Sequence, residues 1–139
     1  MSTGYQIKDQ EALHYLTLQV VDCIDIFTSR FYRDILLESI NFCQQNKGLQ
    51  VFGYVIMSNH VHLICNSADA KLSDTIRDLK KFTSRKLFEA IQTGNESRKE
   101  WMLDRFGFIG RKNSRNRDFQ VWTHELAMMV IISLKRFQA

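Results

Sequence analysis

The stretch from Leu49 to Cys65 does most to constrain the fold. Leu49 to Met57 is rich in Val, Phe, Tyr and Ile, His60 to Cys65 is a second apolar alternation, and Ser58-Asn59 breaks the two. Alternation with period two is the mark of a strand, so the segment predicts two antiparallel strands joined by a tight turn.

The flanking segments supply what such a hairpin needs to pack against. Glu11 to Cys23 places Leu13, Tyr15, Leu16, Leu18, Val20 and Val21 densely around Thr17 and Gln19, which predicts another strand. Thr28 or Ser29 can cap a helix over about 29–46, where Phe31, Ile35, Leu36, Ile40 and Phe42 recur at helical intervals, and Lys47-Gly48 supplies the stop. After the hairpin, Ser73 can cap a second helix carrying Ile76, Leu79, Phe82, Phe88 and Ile91 on one face and ending at Gly94-Asn95. A shorter helical pattern runs from Ser97 to about Phe106 with Trp101, Met102 and Phe106 inward, and Gly107 to Asp118 reads as a basic loop. Phe119 to Trp122 fits a short strand, and Glu125 to Phe137 is apolar but undecided between helix and strand. The order strand, helix, strand, strand, helix predicts one α+β domain over 1–139, a ferredoxin-like antiparallel sheet packed on one face by helices and open on the other.

Composition excludes several classes. At 139 residues with 45% hydrophobic and 24% charged residues, the chain can bury a core, which rules out wholesale disorder. No apolar run reaches the length of a membrane span and residues 1–10 lack a signal-peptide pattern, so a cytoplasmic protein without a membrane partner is expected. Cys23, Cys43 and Cys65 form no Cys-x-x-Cys pair and are expected to be reduced core residues. Nothing in Phe106 to Gly110 or elsewhere resembles a nucleotide-binding glycine loop.

Charge is localised. Between Lys71 and Arg117 thirteen Lys/Arg face six Asp/Glu, while the rest of the chain has six against nine. A solvated helix face followed by a basic loop would produce this, and so would a surface for a phosphate backbone. The candidates for phosphate contact are Arg77, Lys80, Lys81, Arg85 and Lys86 on the helix, with Arg111, Lys112, Arg115 and Arg117 beyond it. Trp122, Phe106 or Phe108 could stack on an unpaired base. Core packing is the competing role for each aromatic, favoured for Trp101 and Phe106 and evenly balanced for Trp122.

His60 and His62, two apart on a strand, project from one face while Val61 and Leu63 enter the core. Side-by-side imidazoles can hold a divalent cation if another ligand completes the shell; without one they are exposed strand histidines.

The run Tyr54-Val55-Ile56-Met57-Ser58-Asn59-His60-Val61-His62-Leu63-Ile64 resembles the HUH motif of single-tyrosine transposases, most closely the REP-associated tyrosine transposases of bacteria. Tyr15 to Gln19, Phe27-Thr28, the helix Leu72 to Ser84, and Arg111 to Asn116 leading into Phe119-Gln120-Val121-Trp122 share the likeness, which covers about residues 11–122. It implies His60 and His62 as ligands of Mg²⁺ or Mn²⁺, with Asn59 shaping the turn that presents them. It also implies single-stranded or hairpin DNA as partner, and strand cleavage and rejoining through a 5′-phosphotyrosine.

Two departures qualify what the resemblance implies. Ser58 stands where such proteins usually have proline. Their nucleophilic tyrosine lies on a helix beyond the Phe-x-x-Trp segment, whereas Tyr5, Tyr15, Tyr32 and Tyr54 are the only tyrosines here and none follows His62. The expectation is therefore a C-terminally truncated relative that binds DNA with impaired cleavage and no assigned catalytic residue, His124 and Glu125 being substitute metal ligands of low specificity. An active nickase using Tyr54 or Tyr15 and a non-catalytic RNA-binding module are the alternatives. An apolar tail over 123–139 that leaves a patch exposed predicts a homodimer.

Overall fold

The structure, a computed structural model, describes residues 7–112 and 118–124, and the backbone of 127–132. Four strands and three α-helices follow one another as β1 (Leu13–Gln19), α1 (Arg30–Asn46), β2 (Leu49–Ile56), β3 (His60–Ser67), α2 (Leu72–Thr93), α3 (Lys99–Lys112) and β4 (Ala127–Ile132). The sheet is antiparallel throughout with order β2-β3-β1-β4. This is the expected ferredoxin-like α+β arrangement.

Period-two burial sets its faces. Leu16, Leu18, Val61, Leu63 and Cys65 turn inward and are fully buried, meeting Leu36, Ile40 and Cys43 of α1 and Leu72, Ile76, Leu79, Leu87 and Ile91 of α2. Each fully buried leucine contributes on the order of 2 kcal/mol. Ser29 occupies the position before α1 without a side-chain cap, and Gly48 ends the turn after it at φ +70°, in the left-handed region that favours glycine. A β-carbon at Gly48 would also lie 2.3 Å from Asp69 Oδ2.

Several expectations change. The first strand stops at Gln19, because one-turn 3-10 helices at Val21–Cys23 and Ile26–Thr28 take over the chain. Residues 107–112, expected as loop, continue α3: Gly110 lets the helix approach Phe119 so closely that a β-carbon would sit 2.4 Å from Phe119 Cα. Trp101 is exposed rather than inward, whereas Phe106 is fully buried as expected. Cys43 and Cys65 are buried free thiols, but Cys23 is exposed. Phe119 to Trp122 forms no strand; only Trp122 makes a bridge, to Val20. The apolar tail supplies β4, whose backbone pairs with β1, so residues 127–132 extend the sheet, while 125–126 and 133–139 lie outside the described residues. Among the described residues no helix is long and apolar enough to cross a membrane.

Candidate metal centre and nucleic-acid interface

Both histidines of β3 project from the open face of the sheet. They are half-buried, the buried Val61 between them turns inward, and their ring centroids are 4.8 Å apart with planes at 78°. Pairing with β1 sets Gln19 opposite His60, Thr17 opposite His62 and Tyr15 opposite Ile64, and directly opposed residues share a face. Thr17 Oγ1 accordingly lies 2.9 Å from His62 Nδ1, and the Tyr15 ring is 5.2 Å from the His62 ring. Burial, and after it the neighbouring His60 charge, hold the His62 imidazole below its usual pKa and favour the neutral form a metal requires.

His60 is held more tightly. Its Nδ1 lies 2.7 Å from Asn59 Oδ1, while Asn59 Nδ2 donates to the Cys23 carbonyl at 3.3 Å. The Asn59 carbonyl accepts from Val20 N at 3.0 Å and from Gln19 Nε2 at 2.8 Å. The donor set fits a divalent cation in part: two imidazoles side by side, with Thr17, Gln19 and Tyr15 as oxygen-bearing neighbours on the same face. Among the described residues no group of three His, Cys, Asp or Glu side chains could hold a metal, so other donors must complete the shell. Tyr54 pairs with the inward Leu63 and thus belongs to the opposite sheet face, which separates it from the histidines. His124 lines the cleft beside α2, and Glu125 lies outside the described residues.

The candidate phosphate-contact residues of α2 and the histidine pair do not share a face. Helix α2 covers the inner face, so its outward cations and the histidine pair are separated by the sheet. Lys81, Arg85 and Lys86 are exposed, and among the described residues no carboxylate pairs with them. Arg77 pairs with Asp74 at 3.3 Å and Asp78 at 3.8 Å. Lys80 is half-buried and donates to the Thr123 carbonyl at 3.0 Å; burial pushes its pKa down. A cleft of about 460 Å³ lies here, lined by Arg77, Lys80, Lys81, Ser84, Phe119 and Gln120 among others. The two sides communicate at the end of β1, where Thr123 N donates to the carbonyl of Gln19, the residue opposite His60.

Trp122 is core. It is 4% exposed, stacks on Phe27 at 5.8 Å and donates Nε1–H to Thr83 Oγ1 at 2.7 Å, so it is not presented for base stacking. Phe106 is likewise enclosed, whereas Phe108 is exposed between Lys112, 4.5 Å from its ring centre, and Arg105 at 5.3 Å. Arg111 and Lys112 occupy the last turn of α3, and Arg115 and Arg117 lie outside the described residues. Sequence reasoning missed the residues that clamp the segment after β1, which in turn contacts the Ser58-Asn59 turn. Arg105 donates to Asp22 and Arg98 to Asp25, contacts spanning 83 and 73 residues that no local pattern signals.

Fold and site together define an α+β domain with a ferredoxin-like antiparallel sheet and a His-x-His pair on its open face. The family model of IS200-like transposases matches residues 15–108, and the chain belongs to that family, in a transposase-related role. Among solved structures, it is similar to a REP-associated tyrosine transposase bound to a REP hairpin, with TM-score 0.60 and 14% identity. That match covers 99% of this chain and 66% of the other, so this chain spans just under two thirds of that protein's length. It is also similar to a Deinococcus radiodurans R1 protein described as a transposase, with TM-score 0.53, 17% identity and coverage of 98% and 90%. No curated protein matches it.

Proposed function

We propose that this domain binds single-stranded DNA folded as a hairpin and holds Mg²⁺ or Mn²⁺ at His60 and His62. The observation that carries the reading is the pair of imidazoles on one open sheet face, 4.8 Å apart. The hairpin-bound structural neighbour supports the choice of DNA. Lys81, Arg85 and Lys86, joined by Arg111 and Lys112, neutralise phosphates, and Phe108 offers the exposed ring for an unpaired base. A bound cation would neutralise charge on a phosphodiester held at the histidines, as the family's cleavage and rejoining chemistry demands. The activity proposed is binding, the role that the histidine pair and the exposed cations support.

A second reading rests on Tyr15, the one described tyrosine on the histidine face. Its Oη would attack phosphorus and form a phosphotyrosine, the phenolic proton passing to solvent while the 3′ oxygen leaves and is protonated.

The test combines three measurements. Mn²⁺ titration of the protein and of His60→Ala and His62→Ala should show binding lost in both variants with the fold intact by circular dichroism. Hairpin DNA should outcompete hairpin RNA of the same sequence; equal competition would favour the RNA-module alternative. A labelled hairpin incubated with Mn²⁺ should give no covalent adduct, and an adduct abolished by Tyr15→Phe would establish the nickase reading instead. The homodimer is a separate proposal, checked by light scattering for twice the 16.4 kDa chain mass.

A further inference from the structure

We infer that Asn59 is a positioning residue that fixes which nitrogen of His60 is open, and that the turn at Val21–Cys23 aims it. The inference rests on the metal reading above for its consequence, though not for its geometry. An amide can present either oxygen or nitrogen to a histidine, and the second partner decides. Asn59 Nδ2 faces the Cys23 carbonyl at 3.3 Å; turning the amide over would set oxygen against oxygen there. Oδ1 must then face His60 Nδ1, 2.7 Å away, and a carbonyl oxygen accepts only from a protonated nitrogen. The neutral ring is left with Nδ1–H and an open lone pair on Nε2, the form in which histidine ligates a metal through Nε2.

The anchor is itself strained. Asp22 and Cys23 hold φ of 54° and 52°, a left-handed conformation that L-residues seldom adopt twice in succession. Arg105 Nε donates to Asp22 Oδ2 at 2.9 Å and a second guanidinium nitrogen donates to the same oxygen, tying the turn to α3. Phe27 N also donates to the Ser58 carbonyl at 2.9 Å, so the segment after β1 grips both residues of the hairpin turn. The path Arg105, Asp22, Cys23 carbonyl, Asn59, His60 thus converts a long-range ion pair into a choice of tautomer. His62 has no equivalent, because the Thr17 hydroxyl can donate or accept.

Long-range ¹⁵N–¹H spectra of the metal-free protein, recorded near pH 8.5 where ordinary imidazoles are neutral, read the tautomer directly. His60 is expected as the Nδ1–H form in the parent protein and in Asn59→Asp, which keeps an acceptor oxygen, and as mixed tautomers in Asn59→Leu. Mn²⁺ affinity is expected to fall about 10- to 100-fold in Asn59→Leu and less in Asn59→Asp. Arg105→Met, remote from the ring, should move the tautomer ratio in the same direction as Asn59→Leu, by less. A parent protein with His60 as Nε2–H overturns the inference outright, whether or not any variant folds, and so does an Asn59→Leu protein with an unchanged tautomer. If the parent tautomer is as expected yet Mn²⁺ does not bind, the metal reading fails and the positioning role stands.

Discussion

The indole Nε1–H of Trp122 and the hydroxyl of Thr83 meet at 2.7 Å inside the molecule, while the same hydroxyl donates to the Leu79 carbonyl at 2.8 Å. Trp122 is therefore a clasp between the 119–124 segment and α2. Trp122→Ala should lose about 3–5 kcal/mol of stability through the cavity it leaves, and Trp122→Phe about 1–2 kcal/mol for the lost hydrogen bond. Hairpin affinity, measured well below the melting temperature, should be unchanged in Trp122→Phe. A large loss of affinity with stability retained would return Trp122 to the nucleic-acid surface.

Exposed and half-buried cations of α2 should behave differently. Lys81→Ala, Arg85→Ala and Lys86→Ala should each lower the slope of log affinity against log salt by about 0.7–0.9, one counterion release per lost phosphate contact. Lys80→Ala should leave that slope nearly unchanged and lower the melting temperature, since its ammonium is committed to the Thr123 carbonyl. Salt titrations of the four variants by fluorescence anisotropy, with thermal melts, decide it.

Gly110 sits where α3 touches Phe119. Elsewhere in a helix, Gly→Ala should stabilise, because alanine is the better helix former by about 1 kcal/mol. Here the added methyl would meet backbone at 2.4 Å, and Gly110→Ala should destabilise by about 1–3 kcal/mol. Urea denaturation gives the sign.

Acid should loosen the contact between residues 96–98, just before α3, and the segment after β1. The hydrogen bond from Arg98 holds Asp25 below the usual carboxylate range; at Glu96 burial pushes upward, but bonds from Arg98 and Tyr32 outweigh it and its pKa is also lowered. A carboxyl whose folded pKa is depressed contributes its stability above its unfolded pKa, near 4, and loses it as pH falls through the folded value. Stability should therefore rise with pH through this window and level off above about pH 5. In Arg98→Met the acid midpoint should move upward, with a loss of about 1 kcal/mol at pH 7 for these partly exposed pairs. A pH series of thermal melts comparing the two proteins tests both.

What the sequence determined by itself was what local periodicity encodes. The break at Ser58-Asn59 and the alternation around it placed β2, β3 and the shared facing of His60 and His62, since a strand's period leaves no choice of side once Val61 and Leu63 are buried. Helical spacing placed α1 and α2 within a residue or two. Gly110 read as loop because the contact that rewards a glycine inside α3, Phe119 packed onto the helix, is invisible to propensity. Tertiary structure alone decided that the tail pairs with β1, that Trp122 turns inward to Thr83, and that the cations of α2 and the histidines occupy opposite sides of the sheet. It also decided that Arg105, 83 residues from Asp22, holds the turn behind Asn59. These relationships depend on which surfaces meet after the chain has closed on itself. A sequence records the residues on those surfaces, and their pairing is settled by burial and polar satisfaction over the whole domain.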